Sequence, residues 1–226
     1  MKLFAGIAFT CALALPGVSP ENVVPYRKAG NTIVYEFADH RSPDVDRYDH
    51  TLLIRKVSQS GKIFIVNAVL GFANTGEFEP MWYMKFGYGD SCFYAWTSNR
   101  MYPNISDGAE DEVILKSDSL TYPFNMQVGD SLPGGSSAKS YDDQKKRVTL
   151  RVYERFVKQL DTLELNCGTI PAYRIESTEE LGTPGTKKET RHRTEWFSPR
   201  YGLVKWHSDL GSGNAYTVTT LYRLSE

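Results

Sequence analysis

Residues 161–207, DTLELNCGTIPAYRIESTEELGTPGTKKETRHRTEWFSPRYGLVKWH, hold the densest alternating pattern in the chain. Leu163 and Leu165 alternate with Thr162 and Glu164 ahead of Gly168, and Tyr173 and Ile175 alternate with Arg174 and Glu176 beyond it. Successive strand side chains point to opposite faces, so period-2 patterning on both sides of a glycine reads as a hairpin. Gly182, Pro184 and Gly185 then mark a loop, and residues 187–197 read as a polar strand ending in Trp196 and Phe197. Pro199, Arg200, Tyr201 and Gly202 make a tight turn, Pro fixing φ and Gly allowing positive φ, and residues 203–208 lead back. Strand, turn, strand, turn, strand is the signature of an antiparallel meander.

The rest of the chain extends that reading. Residues 31–37 give a first strand, and residues 51–102 form a meander with turns at Ser60-Gly61, Thr75-Gly76 and Gly89-Asp90. Turns this closely spaced suit an antiparallel sheet. In its middle strands both faces carry apolar residues: Ile63, Ile65 and Val69 oppose Phe64, Val66 and Leu70, and Trp82, Met84 and Phe86 oppose Met81 and Tyr83. A sheet with one wet face should alternate cleanly, so these strands should be covered on both sides. No amphipathic helix is available as the cover. The sheet must therefore curl on itself or hold something in its concavity. Residues 125–146 read as a linker with room for one helical turn, 147–160 resume the sheet, and AYTVTTLYRL closes it. The expectation is an all-β fold, a strongly curved antiparallel sheet or an open or half β-barrel of about ten strands with mostly meander connections and little helix.

Gly168, Thr169, Ala172, Tyr173, Ile175, Thr194, Trp196, Pro199, Gly202, Leu203, Val204 and Lys205 spell a pattern of the form G-T-x-x-a-y-x-I … T-x-W-x-x-P-x-x-G-L-V-K. With the upstream element Tyr122–Gly135 and the closing YTVTTLYRL, this resembles the TapB-like family of exported bacterial proteins, a group of unknown function. The resemblance is strongest over residues 110–226. It implies an exported β-rich domain with a LolA-like half-barrel, and it carries no catalytic residues onto this chain.

Met1 and Lys2 precede the apolar run LFAGIAFTCALAL, which is too short to span a bilayer and reads as a signal peptide over residues 1–19, with cleavage after Ala14 a second option. Phe9 and Thr10 make a poor lipid-attachment box before Cys11, so a lipoprotein anchor is not expected. What remains, residues 20–226, should be a single β domain, large enough to bury about 70% of its unfolded surface. The net charge of −1 argues against nucleic acid, which requires a basic face, and 13% aromatic residues favour strands. Cys92 and Cys167 would survive processing. A bridge between them, closing a loop of about 75 residues, would be worth about 4 kcal/mol in an oxidising compartment; two buried thiols are the alternative.

Gly129-Asp130-Ser131-Leu132 is spelled like the nucleophile block of GDSL hydrolases, but it lies mid-chain and no D-x-x-H supplies a base. A serine needs such a base to be activated, so a turn is the simpler reading and a Ser131 esterase the weaker one. Asp44, Asp46 and Asp49 lack the Gly and closing Glu of a calcium loop, and His192 and His207, near Glu195 and Asp209, lack dense metal-ligand spacing, so neither metal nor cofactor is expected. Lys187, Lys188, Arg191 and Arg193 read as a solvated basic face on an edge strand. The sequence therefore points to a non-enzymatic, exported envelope protein holding an apolar ligand such as an acyl chain. Trp82, Phe86, Phe93, Trp96 and Trp196 are the candidate lining residues. The alternative is an envelope assembly protein that pairs a sheet edge with a protein partner.

Overall fold

The computed structural model describes residues 24–39, 46–74, 77–97, 100–101, 112–141, 146–183, 185–209 and 216–225. Among these there are fifteen strands: β1 (Thr32–Asp39), β2 (Asp46–Ser60), β3 (Ile63–Asn74), β4 (Glu77–Tyr88), β5 (Cys92–Trp96), β6 (Arg100–Met101), β7 (Glu112–Ser117), β8 (Ser119–Pro123), β9 (Ser131–Leu132), β10 (Gly135–Tyr141), β11 (Lys146–Leu165), β12 (Gly168–Gly182), β13 (Glu189–Ser198), β14 (Gly202–Asp209) and β15 (Tyr216–Ser225). One 3-10 turn, Val24–Tyr26, precedes them. The all-β, strongly curved antiparallel architecture is as the sequence implies. The count exceeds ten because three of the strands, β5, β6 and β9, are short pieces, and because the linker around residue 135 is itself a strand.

The strands form one antiparallel sheet in the order β7-β10-β11-β12-β13-β14-β15-β1-β2-β3-β4-β5-β8, with β6 added to β4 and β9 to β11. The two ends of this order, β7 and β8, are consecutive in the chain and separated only by Asp118. A chain can pass from one end of a thirteen-strand ribbon to the other in one residue only if the ribbon is rolled until its ends meet. Hydrogen bonds close that seam. The Thr97 amide donates to the Asp118 carbonyl at 2.9 Å, the Asp118 amide donates to the Ser136 carbonyl at 2.8 Å, and the Thr97 hydroxyl reaches both carbonyls at 2.8 Å.

Curvature comes from register shifts, which let a strand bend by inserting a residue. They fall at Val34/Tyr35, Leu70/Gly71, Tyr153/Phe156, Val157/Gln159 and Trp196/Phe197, among others. At Gly71 the backbones approach so closely that an added Cβ would lie 2.1 Å from the Glu79 carbonyl oxygen, so only glycine fits this bend. The turn after β13 also depends on glycine: Gly202 has φ +79, and a Cβ there would press on the Tyr26 ring at 2.7 Å.

Tyr26, fully buried, plugs the rolled sheet from the 3-10 turn, edge-on to Phe86 and Phe93 at 5.1 and 5.0 Å. Phe93, Phe197 and Tyr122 continue the stack, with Tyr122 and Phe197 parallel at 4.9 Å. This inner surface, with Ile33, Leu52, Ile54, Val66 and Ile175, is the core. The outer face of β3 and β4 is mixed. Asn67 and Lys85 are exposed, Tyr83 is 39% exposed, and Val69 is buried although its strand neighbours across the sheet are only Leu53 and Tyr83.

Candidate functional site

Rolling the sheet leaves a cavity of about 190 Å³ inside it. One wall is apolar and comes from the N-terminal strands: Leu52, Leu70, Met84, Phe86 and Ala95, with Leu120 from β8. The opposite wall is Leu150 and Val152 of β11 and Leu203 and Trp206 of β14, and it includes Arg193 of β13. Tyr26 and Tyr35 stand at the junction of the walls. The Tyr35 hydroxyl donates to the Leu203 carbonyl at 3.1 Å and lies 3.5 Å from the Tyr26 hydroxyl. Burial raises both phenols, Tyr35 to about 12 and Tyr26 well above its ordinary value, so both stay neutral.

Beyond the Arg193 wall the interior is ionic. Residues on β13 alternate, so that Glu189, Arg191, Arg193 and Glu195 share the inward face with Phe197, while His192 and Thr194 face out. On β11 a bulge delivers a second cation. Glu154 adopts φ 52 and the register slips between Tyr153 and Phe156, which shifts the inward phase from Val152 to Arg155 and Val157. Arg155 and Glu195 are both fully buried, with Arg155 Nη2 3.5 Å from Glu195 Oε2. Arg193 Nη2 meets Glu195 Oε1 at 2.5 Å and its Nη1 meets Glu179 Oε1 at 2.8 Å. The Tyr122 hydroxyl donates to Glu195 at 3.0 Å, Arg155 Nη1 donates to the Pro133 and Thr121 carbonyls at 2.7 and 3.1 Å, and the Arg155 guanidinium lies 4.7 Å over the Tyr122 ring.

The electrostatics follow from this geometry. Burial alone would raise the Glu195 carboxyl, but Arg193 and Arg155, with the Tyr122 hydrogen bond, more than offset it and hold the group below its ordinary value of 4.5. Burial works against the Arg193 cation too, and Glu195 and Glu179 override it. Tyr122 is pushed upward, first by burial and then by the Glu195 charge. Two arginines and two glutamates thus face one another inside the sheet.

Phe86 and Trp96 are the candidate residues that border the cavity. Phe93 is fully buried in the aromatic stack behind it. Trp82 is half-buried opposite Leu70 on β3. Trp196 stands on the other face of β13 from Glu195. Its indole donates to Asp161 at 2.7 Å and Lys205 lies 4.8 Å over its ring, so it belongs to an outer polar ladder. The basic cluster divides. Lys188 pairs with Glu180 at 2.6 Å and Arg191 with Glu189 at 2.9 Å, whereas Arg193 is an interior residue, and β13 is not an edge strand but lies between β12 and β14. Glu195 likewise turns away from His192 and His207.

Gly129-Asp130-Ser131-Leu132 is a turn and a strand start. Asp130 accepts a hydrogen bond from the Gln127 amide at 2.7 Å, Gly129 has φ +99, and Ser131 pairs with Phe156 across β9 and β11. Cys92 opens β5 opposite Pro123, and exposed Cys167 sits in the β11–β12 turn. No disulfide joins them. Asp44 lies outside the described residues. Arg155, Tyr122, Glu179 and Glu195 carried no signal as an interior network, because a charged residue on a strand ordinarily marks the wet face.

A rolled antiparallel sheet of this kind is a half-barrel fold, and solved structures share that fold. A candidate exported protein with a YmcC-like fold from Bacteroides fragilis matches with a TM-score of 0.63 at 16% identity, covering 88% of this chain and 97% of that one. A candidate lipoprotein from Parabacteroides distasonis matches with a TM-score of 0.65 at 15% identity, covering 88% and 96%. In sequence, residues 89–221 match the DUF3108-like family, and the chain belongs to that family. The match includes most of the region whose pattern resembles the TapB-like group; the family it identifies is DUF3108-like, and the fold name carried by the Bacteroides structure is YmcC-like. No curated protein matches the chain.

Proposed function

We propose that this is an exported, non-enzymatic binding protein of the cell envelope that holds an apolar ligand inside its rolled sheet. The observation that carries the reading is the interior cavity between Phe86, Met84 and Leu52 on one side and Trp206, Leu203 and Val152 on the other. At about 190 Å³ it is larger than the apolar cavity of about 150 Å³ that accepts benzene, and smaller than the roughly 300 Å³ where drug-sized sites begin. The enclosed space therefore suits a ring or a short acyl segment, with the remainder of a longer amphiphile outside. An exported location is supported by the N-terminal leader pattern and by the names of the two structural relatives, an exported protein and a lipoprotein.

Two observations weigh against the other readings. The ends of the sheet, β7 and β8, meet at Asp118, which leaves less open edge for a partner strand. Asp130, the acid nearest Ser131 in sequence, is engaged by the Gln127 amide. Native mass spectrometry of the mature protein, purified gently from its own host and followed by solvent extraction, tests the proposal. A stoichiometric amphiphile is the expected result. A bare mass, together with an envelope protein recovered by cross-linking, would favour the sheet-edge reading instead.

A further inference from the structure

The cavity is lined from both faces of one strand. Met84 and Phe86 of β4 point into the rolled sheet, and Lys85 between them points out, opposite exposed Asn67 on β3; yet all three border the cavity. A space that touches both faces of a strand must pass its edge. The edge of β4 is interrupted at that place. β6 pairs with Trp82 and Tyr83, β5 pairs with Phe86, Gly87 and Tyr88, and among the described residues nothing pairs with Met84 and Lys85 on this side. Trp96, the last residue of β5, and Thr97 complete the lining there. The cavity therefore has a lateral mouth at the end of β5, with Met84, Phe86 and Ala95 within it and Lys85 on its rim.

The charges along the cavity have one sign. Lys85 and Arg193 are its charged lining residues, and no carboxylate of the described residues lines it. Arg193 already faces Glu179 and Glu195 inside the sheet. Lys85 is exposed, its ammonium stands 4.5 Å over the Trp96 ring, and among the described residues no carboxylate pairs with it. Resting on the reading of the cavity as a ligand site, we infer that the ligand is an amphiphile with an anionic head, a carboxylate or a phosphate, held at Lys85 on the rim, with its acyl segment running past Met84 into the cavity. The head stays in water at the mouth and loses little hydration, whereas an anion drawn inside would meet the full cost of burial. A cationic head would meet Lys85 with like charge, and an uncharged head would gain nothing from it.

The test is calorimetric titration of the purified mature protein, stripped of bound lipid, with octanoate, octyl phosphate, 1-octanol and octyltrimethylammonium. At low salt both anions should bind more tightly than octyltrimethylammonium. Their affinity relative to octanol should fall about two- to fivefold in Lys85→Gln, the size of an exposed ion pair, and further in Lys85→Glu. In about 1 M salt, where charges are screened beyond about 3 Å, the same ratio should fall in the wild type without any substitution, which decides the matter should a variant not fold. The tighter of the two anions tells a fatty acid from a phosphate-headed lipid. Octyltrimethylammonium binding as tightly as the anions, or an anion-to-octanol ratio that both folded variants or high salt alone leave unchanged, overturns the inference about the head group and leaves the cavity reading standing. If none of the four binds, the cavity reading fails and this inference fails with it.

Discussion

Replacing Glu195 by Gln keeps the shape of the side chain and removes one charge from the buried network. Arg155 and Arg193 then share a single carboxylate, Glu179, which contacts only Arg193. Arg155 is left fully buried with its charge uncompensated, its remaining polar contacts being the Thr121 and Pro133 carbonyls and the Tyr122 ring. Breaking a buried pair from one side destabilises by about 3–5 kcal/mol, whereas replacing the whole pair with apolar residues of like volume is often neutral. For a domain of this size each kcal/mol corresponds to about 2–4 °C, so Glu195→Gln should lower the melting temperature by about 6–20 °C. The double variant Arg155→Met/Glu195→Gln should recover part of that loss. Thermal and urea unfolding of the two single variants and the double variant give the coupling directly. Strictly additive losses, or a Glu195→Gln effect below about 1 kcal/mol, would refute the claim that the network is a coupled, desolvated unit.

Because the folded Glu195 carboxyl is held below its ordinary value of 4.5, its contribution is present above that pH and is lost as pH falls through the folded-state value. Urea midpoints measured from pH 7 downward should therefore fall below about pH 5 in the wild type, and fall less steeply in Glu195→Gln. Gly202→Ala should destabilise by about 2 kcal/mol, from positive φ and the pressure on Tyr26, read as a shift in denaturant midpoint without a change in slope. Phe93→Ala, which empties the centre of the aromatic stack, should cost about 3–5 kcal/mol, and Trp196→Phe on the outer ladder less than about 1.5 kcal/mol. Thermal unfolding ranks these two, and a reversed order would move the core to the other face of β13.

The sequence yielded the architecture where strands were long and alternating. The β12–β14 meander is visible in Tyr173, Ile175 and the Pro199–Gly202 turn, and the β2–β4 meander in its glycine turns. Two things escaped. One is the path of the chain at Asp118: SDSLTYPF reads as one run, and nothing local says that its two halves belong to opposite ends of a sheet. The other is the ionic interior. Arg193 and Glu195 obey period 2 like any strand residues, but polar and apolar residues alternate on both faces of β13, so the pattern gives the period without saying which face is inside. Arg155 was further hidden by the Glu154 bulge, which shifts the phase of β11 at a place where the residues look regular. Of the five aromatic residues expected to line a site, Phe86 and Trp96 border the cavity, whereas Phe93 packs against Tyr26, Phe86 and Phe197, a difference that only the folded sheet defines.

The central claim is that something occupies the space inside the rolled sheet. Ala95 borders the cavity from β5, and Ala95→Leu would fill part of it without touching the ionic network. The direct measurement is native mass spectrometry of wild type and Ala95→Leu, purified in parallel from the same host. A stoichiometric adduct is expected on the wild type, absent or much reduced on a variant that is equally folded. A bare mass for both proteins, or an adduct that Ala95→Leu retains in full, would contradict it.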